Sequence, residues 1–141
     1  MTTIEVRPEV DAASTPRKGE WVAVCTMRQL IPERGVAVLV GSLQVALFRV
    51  TSAAGEDFVY AVGHRDPFSD ANVIARGIVG SVGGTEDQRD TVASPMYKHV
   101  FELATGACLT DPSGRLPVYR TWIAGGVVYV NPVPVQPAPT S

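Results

Sequence analysis

From Trp21 onward the chain alternates short apolar runs, rich in β-branched and aromatic residues, with clusters of turn residues. WVAVCT (21–26) predicts a first strand, with Trp21, Ala23 and Cys25 on one face. Residues 27–30 fit a turn or a single helical turn. Strands are then predicted over 36–40, 43–50, 57–62, 91–95, 99–104, 116–123 and 127–130. Gly41-Ser42 and Gly125-Gly126 close tight hairpins, because glycine supplies the positive φ such turns need. Residues 53–56 form a looser turn, and Thr105-Gly106 another. No helical period of useful length is present; the best candidate, 70–75, amounts to about one turn. Residues 76–80 read as a connector and 80–90 as a polar, glycine-bearing loop. The pattern predicts an all-β domain of about eight or nine strands, a small sandwich or barrel.

The ends differ from the middle. Residues 1–17 hold no sustained period and are expected to be a flexible tail. The folded domain is expected over 18–131. Residues 132–141 are expected to be a Pro-rich tail, since NPVPVQPAPTS carries four prolines in eleven residues. A segment without those backbone donors should lie extended and stay out of any central strand.

Composition narrows the function. At 141 residues the chain is one domain in size, and 45% hydrophobic with 18% charged residues is a globular balance. The net charge is −2 and no basic block occurs, so no nucleic-acid partner is expected. The N-terminus lacks a cationic start followed by an apolar run, so no signal peptide is expected. The apolar stretch 36–40 is too short to span a bilayer, so no membrane partner is expected and the cytoplasm is the expected compartment. Cys25 and Cys108 are then read as reduced, structural thiols.

Candidate chemistry gathers in two short proline loops, Asp66-Pro67-Phe68 and Ser94-Pro95-Met96-Tyr97. His64 lies two residues before the first, and His99 two residues after the second. If the loops meet, His64, Asp66 and His99 form a conceivable mononuclear metal set, helped by strand alternation placing Tyr97 and His99 on one side. The competing reading is two solvated or hydrogen-bonded imidazoles. No glycine-rich dinucleotide loop follows a strand; Gly77, Gly80, Gly83 and Gly84 read as turn glycines. No catalytic residue set is found, and redox chemistry needs a cofactor.

The order of strand, loop, connector, strand and loop resembles the Rieske [2Fe–2S] domain. Phe101-x-Leu103-x-Thr105-Gly106 matches the hairpin after that family's second loop. The resemblance implies a small Rieske-like sandwich or barrel with an inserted, loop-bearing hairpin subdomain. The family's ligand positions, two cysteines and two histidines, are held here by Asp66, Phe68, Ser94 and Tyr97. Phe68 has no donor atom, so these are degenerate positions and no cluster is expected. Phe68, Met96 and Tyr97 are expected to pack together and hold the loops shut, with Asp66 accepting backbone N–H bonds in an Asx-turn.

A sharper resemblance runs from Trp21 to Pro132: RDPFS (65–69), RGIVG (76–80) and ASPMYK (93–98) occur in order, with LIPERGVAVLV (30–40) before them. It is similar to the small subunit of assimilatory NAD(P)H-dependent nitrite reductase. That implies a subunit without a catalytic centre or cofactor of its own, docked on a large subunit that carries FAD, sirohaem and [4Fe–4S] and reduces nitrite to ammonium. Arg65, Arg76, Ile78 and Lys98, beside Asp66, Phe68 and Tyr97, are the candidate docking residues. Two alternatives stay open: a Rieske-type [2Fe–2S] electron-transfer protein, and a degenerate Rieske scaffolding domain of another oxidoreductase.

Overall fold

A computed structural model describes residues 21–52, 54–83 and 88–135. The predicted tail 1–17 therefore lies outside the described residues, as does 136–141. Among the described residues nine strands follow one another: β1 (Val22–Thr26), β2 (Gly35–Val40), β3 (Leu43–Thr51), β4 (Asp57–Gly63), β5 (Ile78–Val82), β6 (Arg89–Ala93), β7 (Val100–Glu102), β8 (Val118–Ala124) and β9 (Val127–Pro134). Met27–Gln29 and Ile74–Arg76 are single 3-10 turns. The second stands at the end of the stretch expected to make one helical turn.

Six strands form an antiparallel sheet in the order β1-β9-β8-β4-β3-β2. Its edge strands β1 and β2 touch, so the sheet curls into a nearly closed barrel. Strands β5-β6-β7 form a separate small sheet, the inserted subdomain that the Rieske resemblance implied. The hairpin turns are as expected: Val40 pairs with Leu43 across Gly41-Ser42, and Ala124 with Val127 across two glycines at φ 59° and 79°.

Two apolar clusters explain the arrangement. Leu30, Val45, Leu47, Val59, Tyr119, Ile123, Val128 and Val130 fill the barrel. Phe48, Val62, Ile74, Val92, Phe101, Leu103 and Leu116 fill the space between the barrel and the small sheet. Strand β3 feeds both. Val45 and Leu47 point one way and Ala46, Phe48 and Val50 the other, which is why its sequence is nearly continuously apolar. Arg49 fastens the barrel's rim: its Nη1 donates to the carbonyls of Met27 (3.2 Å) and Leu30 (3.1 Å), and its Nη2 pairs with Asp57 at 2.8 Å.

Three expectations are corrected. First, the expected connector is partly a strand: β5 pairs with β6 from Ile78↔Ala93 to Val82↔Arg89. Its mostly exposed, glycine-interrupted IVGSV carries little apolar signal. Second, Trp21, Ala23 and Cys25 do not share one face. A bulge between Ala23 and Cys25 breaks the alternation, so Val22, Val24 and Cys25 pack on the barrel core and Ala23 is exposed. Third, β9 runs on through Pro132 to Pro134. Strand β1 pairs with β9 only at 127–130, so both prolines fall where β9 has lost that neighbour. Val135 donates to the Val118 carbonyl of β8 (2.7 Å), which turns the nitrogen of Pro134 to the open side, where no donor is needed.

Candidate functional site

The first proline loop leaves the end of β4 and folds on itself. Asp66 N–H donates to the Ala71 carbonyl, and Asp70 N–H to the Asp66 carbonyl, both at 2.8 Å. The Asp66 carboxylate turns inward and is fully buried. Its Oδ1 accepts the N–H groups of Phe68 (2.8 Å) and Ser69 (3.3 Å), the Asx-turn the sequence suggested. Its Oδ2 accepts the hydroxyl of buried Ser94 from the second loop. Ser94 Oγ in turn accepts Met96 N–H at 3.1 Å. A carboxylate–hydroxyl bond therefore ties the two loops through two of the degenerate ligand positions.

The other two positions part company. Phe68 stacks on His99 with ring centroids 4.0 Å apart, and approaches Phe101 at 6.3 Å. Gly114, in the Asp111–Gly114 turn, lies directly under the Phe68 ring; a Cβ there would fall inside it. Tyr97, by contrast, is 69% exposed and Met96 is also exposed. The expected Phe68–Met96–Tyr97 cluster is not formed. Tyr97 and Lys98 both adopt positive φ (62° and 57°), which reverses the chain so that Ser94 N–H reaches the His99 carbonyl at 2.8 Å. Residues 97–99 are not an alternating strand, and His99 is the residue brought under Phe68. Gly114 is the contributor that sequence reasoning missed, and His99, named there only as a conceivable metal ligand, serves instead as the surface under Phe68. Asp-Pro-Ser-Gly (111–114) is a turn signal the sequence analysis did not take up, and nothing local shows that it meets the first loop.

These residues do not fit a [2Fe–2S] cluster. Phe68 offers a phenyl ring packed on glycine and imidazole, Tyr97 faces out, and Asp66 and Ser94 are bonded to each other. The conceivable mononuclear set is likewise divided among other partners. His64 Nδ1 accepts Ala75 N–H at 3.1 Å, and His99 Nδ1 contacts Thr110 Oγ1 at 3.0 Å. Among the described residues no three His, Cys, Asp or Glu side chains are grouped to hold a metal.

His64 is buried, and burial lowers its pKa from 6.5, with the charge of Arg76 adding to the effect. Below about 6.5 the unfolded chain takes up a proton that the folded chain resists, so the unfolded state binds more protons. The stability tied to His64 is thus complete above that value and is lost as pH falls toward the lowered folded value. Denaturation between pH 7.5 and 5.5 is expected to show this loss, and His64→Asn, whose amide oxygen can still accept Ala75 N–H, is expected to flatten it. An unchanged slope in the variant would assign the effect elsewhere.

The candidate docking residues sort by position. Arg76 and Ile78 lead into the small sheet, and Ile78 is 77% exposed opposite Ala93, next to the second loop. Tyr97 and Lys98 form that loop's exposed tip, and exposed Leu109 lies alongside, its N–H on the Val100 carbonyl at 2.7 Å. Arg65 stands apart on the first loop, bridged to Asn72 and ion-paired with Asp70.

Comparison with known proteins accords with this geometry. A family model for the Rieske-like [2Fe-2S] domain matches residues 20–131. The nitrite reductase (NADH) small subunit of Escherichia coli K12 is 34% identical over 113 residues, covering 79% of this chain and 97% of that one. A crystal structure assigned as an NADH-dependent nitrite reductase small subunit from Mycobacterium tuberculosis superposes with a TM-score of 0.70 at 45% identity, over 82% of this chain and 96% of that one. A nitrite reductase [NAD(P)H] large subunit from Klebsiella oxytoca contains a region 36% identical over 111 residues, spanning 79% of this chain but 11% of its own length. The ferredoxin of carbazole 1,9a-dioxygenase from Nocardioides aromaticivorans shares the fold alone, at 22% identity and a TM-score of 0.63.

Proposed function

The chain belongs to the nitrite reductase small-subunit family of Rieske-like domains, and from that premise we propose that it works as a docking subunit without a cluster of its own. Its partner is the large subunit of an NAD(P)H-dependent nitrite reductase. The reduction of nitrite to ammonium takes place there, on FAD, sirohaem and [4Fe–4S]. The Klebsiella relative supports the pairing, because a region similar to this chain lies within a protein named as that large subunit. The single observation that carries the docking role is the exposed apolar rim of the loop end. Ile78, Met96, Tyr97 and Leu109 are all solvent-exposed there, with Arg76 and Lys98 beside them. Aromatic and aliphatic anchors bordered by cations are what a protein interface needs, and a monomer has no internal use for them. Arg65, on the first loop, extends the candidate interface.

The loops are held in shape by Asp66–Ser94 and by Phe68 on His99, so the rim is presented rigidly without inorganic support. Two free thiols, Cys25 and Cys108, suit the reducing cytoplasm.

Co-purification with the large subunit tests the proposal. Ile78→Asp combined with Lys98→Glu is expected to abolish retention while leaving the chain folded, and to remove its effect on nitrite reduction by the assembled enzyme. Retention equal to wild type would overturn the interface. Stoichiometric iron and inorganic sulfide in anaerobically isolated chain would overturn the cluster-free reading.

A further inference from the structure

A cleft of about 550 Å³ opens behind the first proline loop, where three elements meet. The β2–β3 turn reaches it through Gln44, whose carbonyl accepts His64 N–H at 3.3 Å. The end of β4 is seamed to the segment before β8 by Gly63 N–H on the Pro117 carbonyl, 2.9 Å. Among the described residues the lining includes His64, Arg65, Asn72, Arg115 and Tyr119, and no carboxylate.

Several polar groups in it keep donors to spare among the described residues. Tyr119 is 5% exposed, with its ring in the barrel core. Its hydroxyl makes no hydrogen bond among the described residues. It is also not sealed off from solvent, and Tyr119 lines the cleft. His64 is bound through Nδ1, which accepts Ala75 N–H. The proton of the neutral ring therefore sits on Nε2, which has no partner either and retains access. Arg115 spends one Nη1 hydrogen on the Thr105 carbonyl at 2.8 Å. Its remaining donors are uncommitted among the described residues. Arg65 shares its charge with Asp70 at the rim. Burial is the main cause of the lowered pKa of His64, and the smaller contribution from the charge of Arg76 agrees with a positive potential at this spot.

A buried phenol and a buried imidazole N–H, flanked by guanidinium groups with no acid among the lining residues, are a complement for negative oxygen. We propose that this cleft binds a small oxyanion, held by Arg115, Arg65, His64 Nε2–H and the Tyr119 hydroxyl. The inference goes beyond the docking proposal and does not depend on it; it follows from unpartnered donors at the barrel mouth.

The test is an NMR titration of the full chain with sodium nitrite, sodium acetate and inorganic phosphate, each against sodium chloride at matched ionic strength. The His64 ring signals are expected to shift and saturate, while those of His99, which lies outside the cleft, stay in place. Arg115→Ala is expected to weaken binding about ten-fold or more. Tyr119→Phe keeps the ring in the core and is expected to weaken it as well. Arg34→Ala, which removes a cation far from the cleft, is expected to leave it unchanged. Saturation by nitrite and acetate alone assigns the site to planar anions, and by phosphate to tetrahedral ones. Absence of saturation with all three, or equal weakening by Arg34→Ala, would overturn the proposal. Retention on the large subunit is read separately, so the two proposals fail independently.

Discussion

Asp66→Ala is expected to cost roughly 3–5 kcal/mol of stability, because several donors lose the acceptor they share. The carboxylate accepts three donors at once: Phe68 N–H, Ser69 N–H and Ser94 Oγ–H. Asp66 and Ser94 are buried, and Phe68 and Ser69 are half-buried. Alanine leaves those donors without an acceptor. It also removes the bond that joins the two loops, so the positive-φ turn at Tyr97 and Lys98 loses its anchor through Ser94. Since a domain of this size holds about 5–15 kcal/mol in total, a urea denaturation midpoint should fall steeply. Asp66→Asn supplies the control. Its amide oxygen can take the two N–H groups and its amide nitrogen can donate to Ser94 Oγ, so its cost should stay near 1 kcal/mol. Equal midpoints for Asp66→Ala and wild type would mean that the carboxylate does not hold the loops.

Gly114→Leu is expected to expel Phe68 from its seat, at a cost of roughly 1–3 kcal/mol. The backbone at 114 does not require glycine, because its φ is not positive. Space alone forbids a side chain: the Phe68 ring occupies the position of the Cβ. Strain of that kind is relieved when its cause is removed. Gly114→Leu with Phe68→Ala is therefore expected to be more stable than the sum of the two single losses predicts, by a coupling of about 1 kcal/mol or more. Thermal denaturation of the four proteins reads this directly. Additive losses would place Phe68 elsewhere than over Gly114.

What the sequence disclosed and what it concealed divide along a physical line. Apolar runs with β-branched residues and glycine turns are local signals, and strands β2, β3, β4, β8 and β9 were readable from them. The short strand β5 was not, because IVGSV earns its place by hydrogen-bonding to β6 and only lightly by burial. The bulge in β1 was hidden because a one-residue insertion leaves no composition mark. At the site, the Asp66 Asx-turn is local and was legible. The stacking of Phe68 on His99 depends on two left-handed residues at 97 and 98. Neither is a glycine, so the sequence offered no cue, and strand alternation across 97–99 put Tyr97 and His99 on one side, where the reversed chain separates them. Proline counting also misled at the C-terminal end. It registers lost donors but cannot see that the neighbouring strand stops at Val22↔Val130, just before the donors are missed.

That last strand has a mechanical side. Over 127–130, β9 is clasped between β1 and β8. A pull on the carboxyl end loads both ladders lengthwise, so their hydrogen bonds must yield together rather than peel one by one. An unfoldase engaging this end would meet its hardest obstacle first, and resistance to it would track the rate of forced opening more closely than the equilibrium stability.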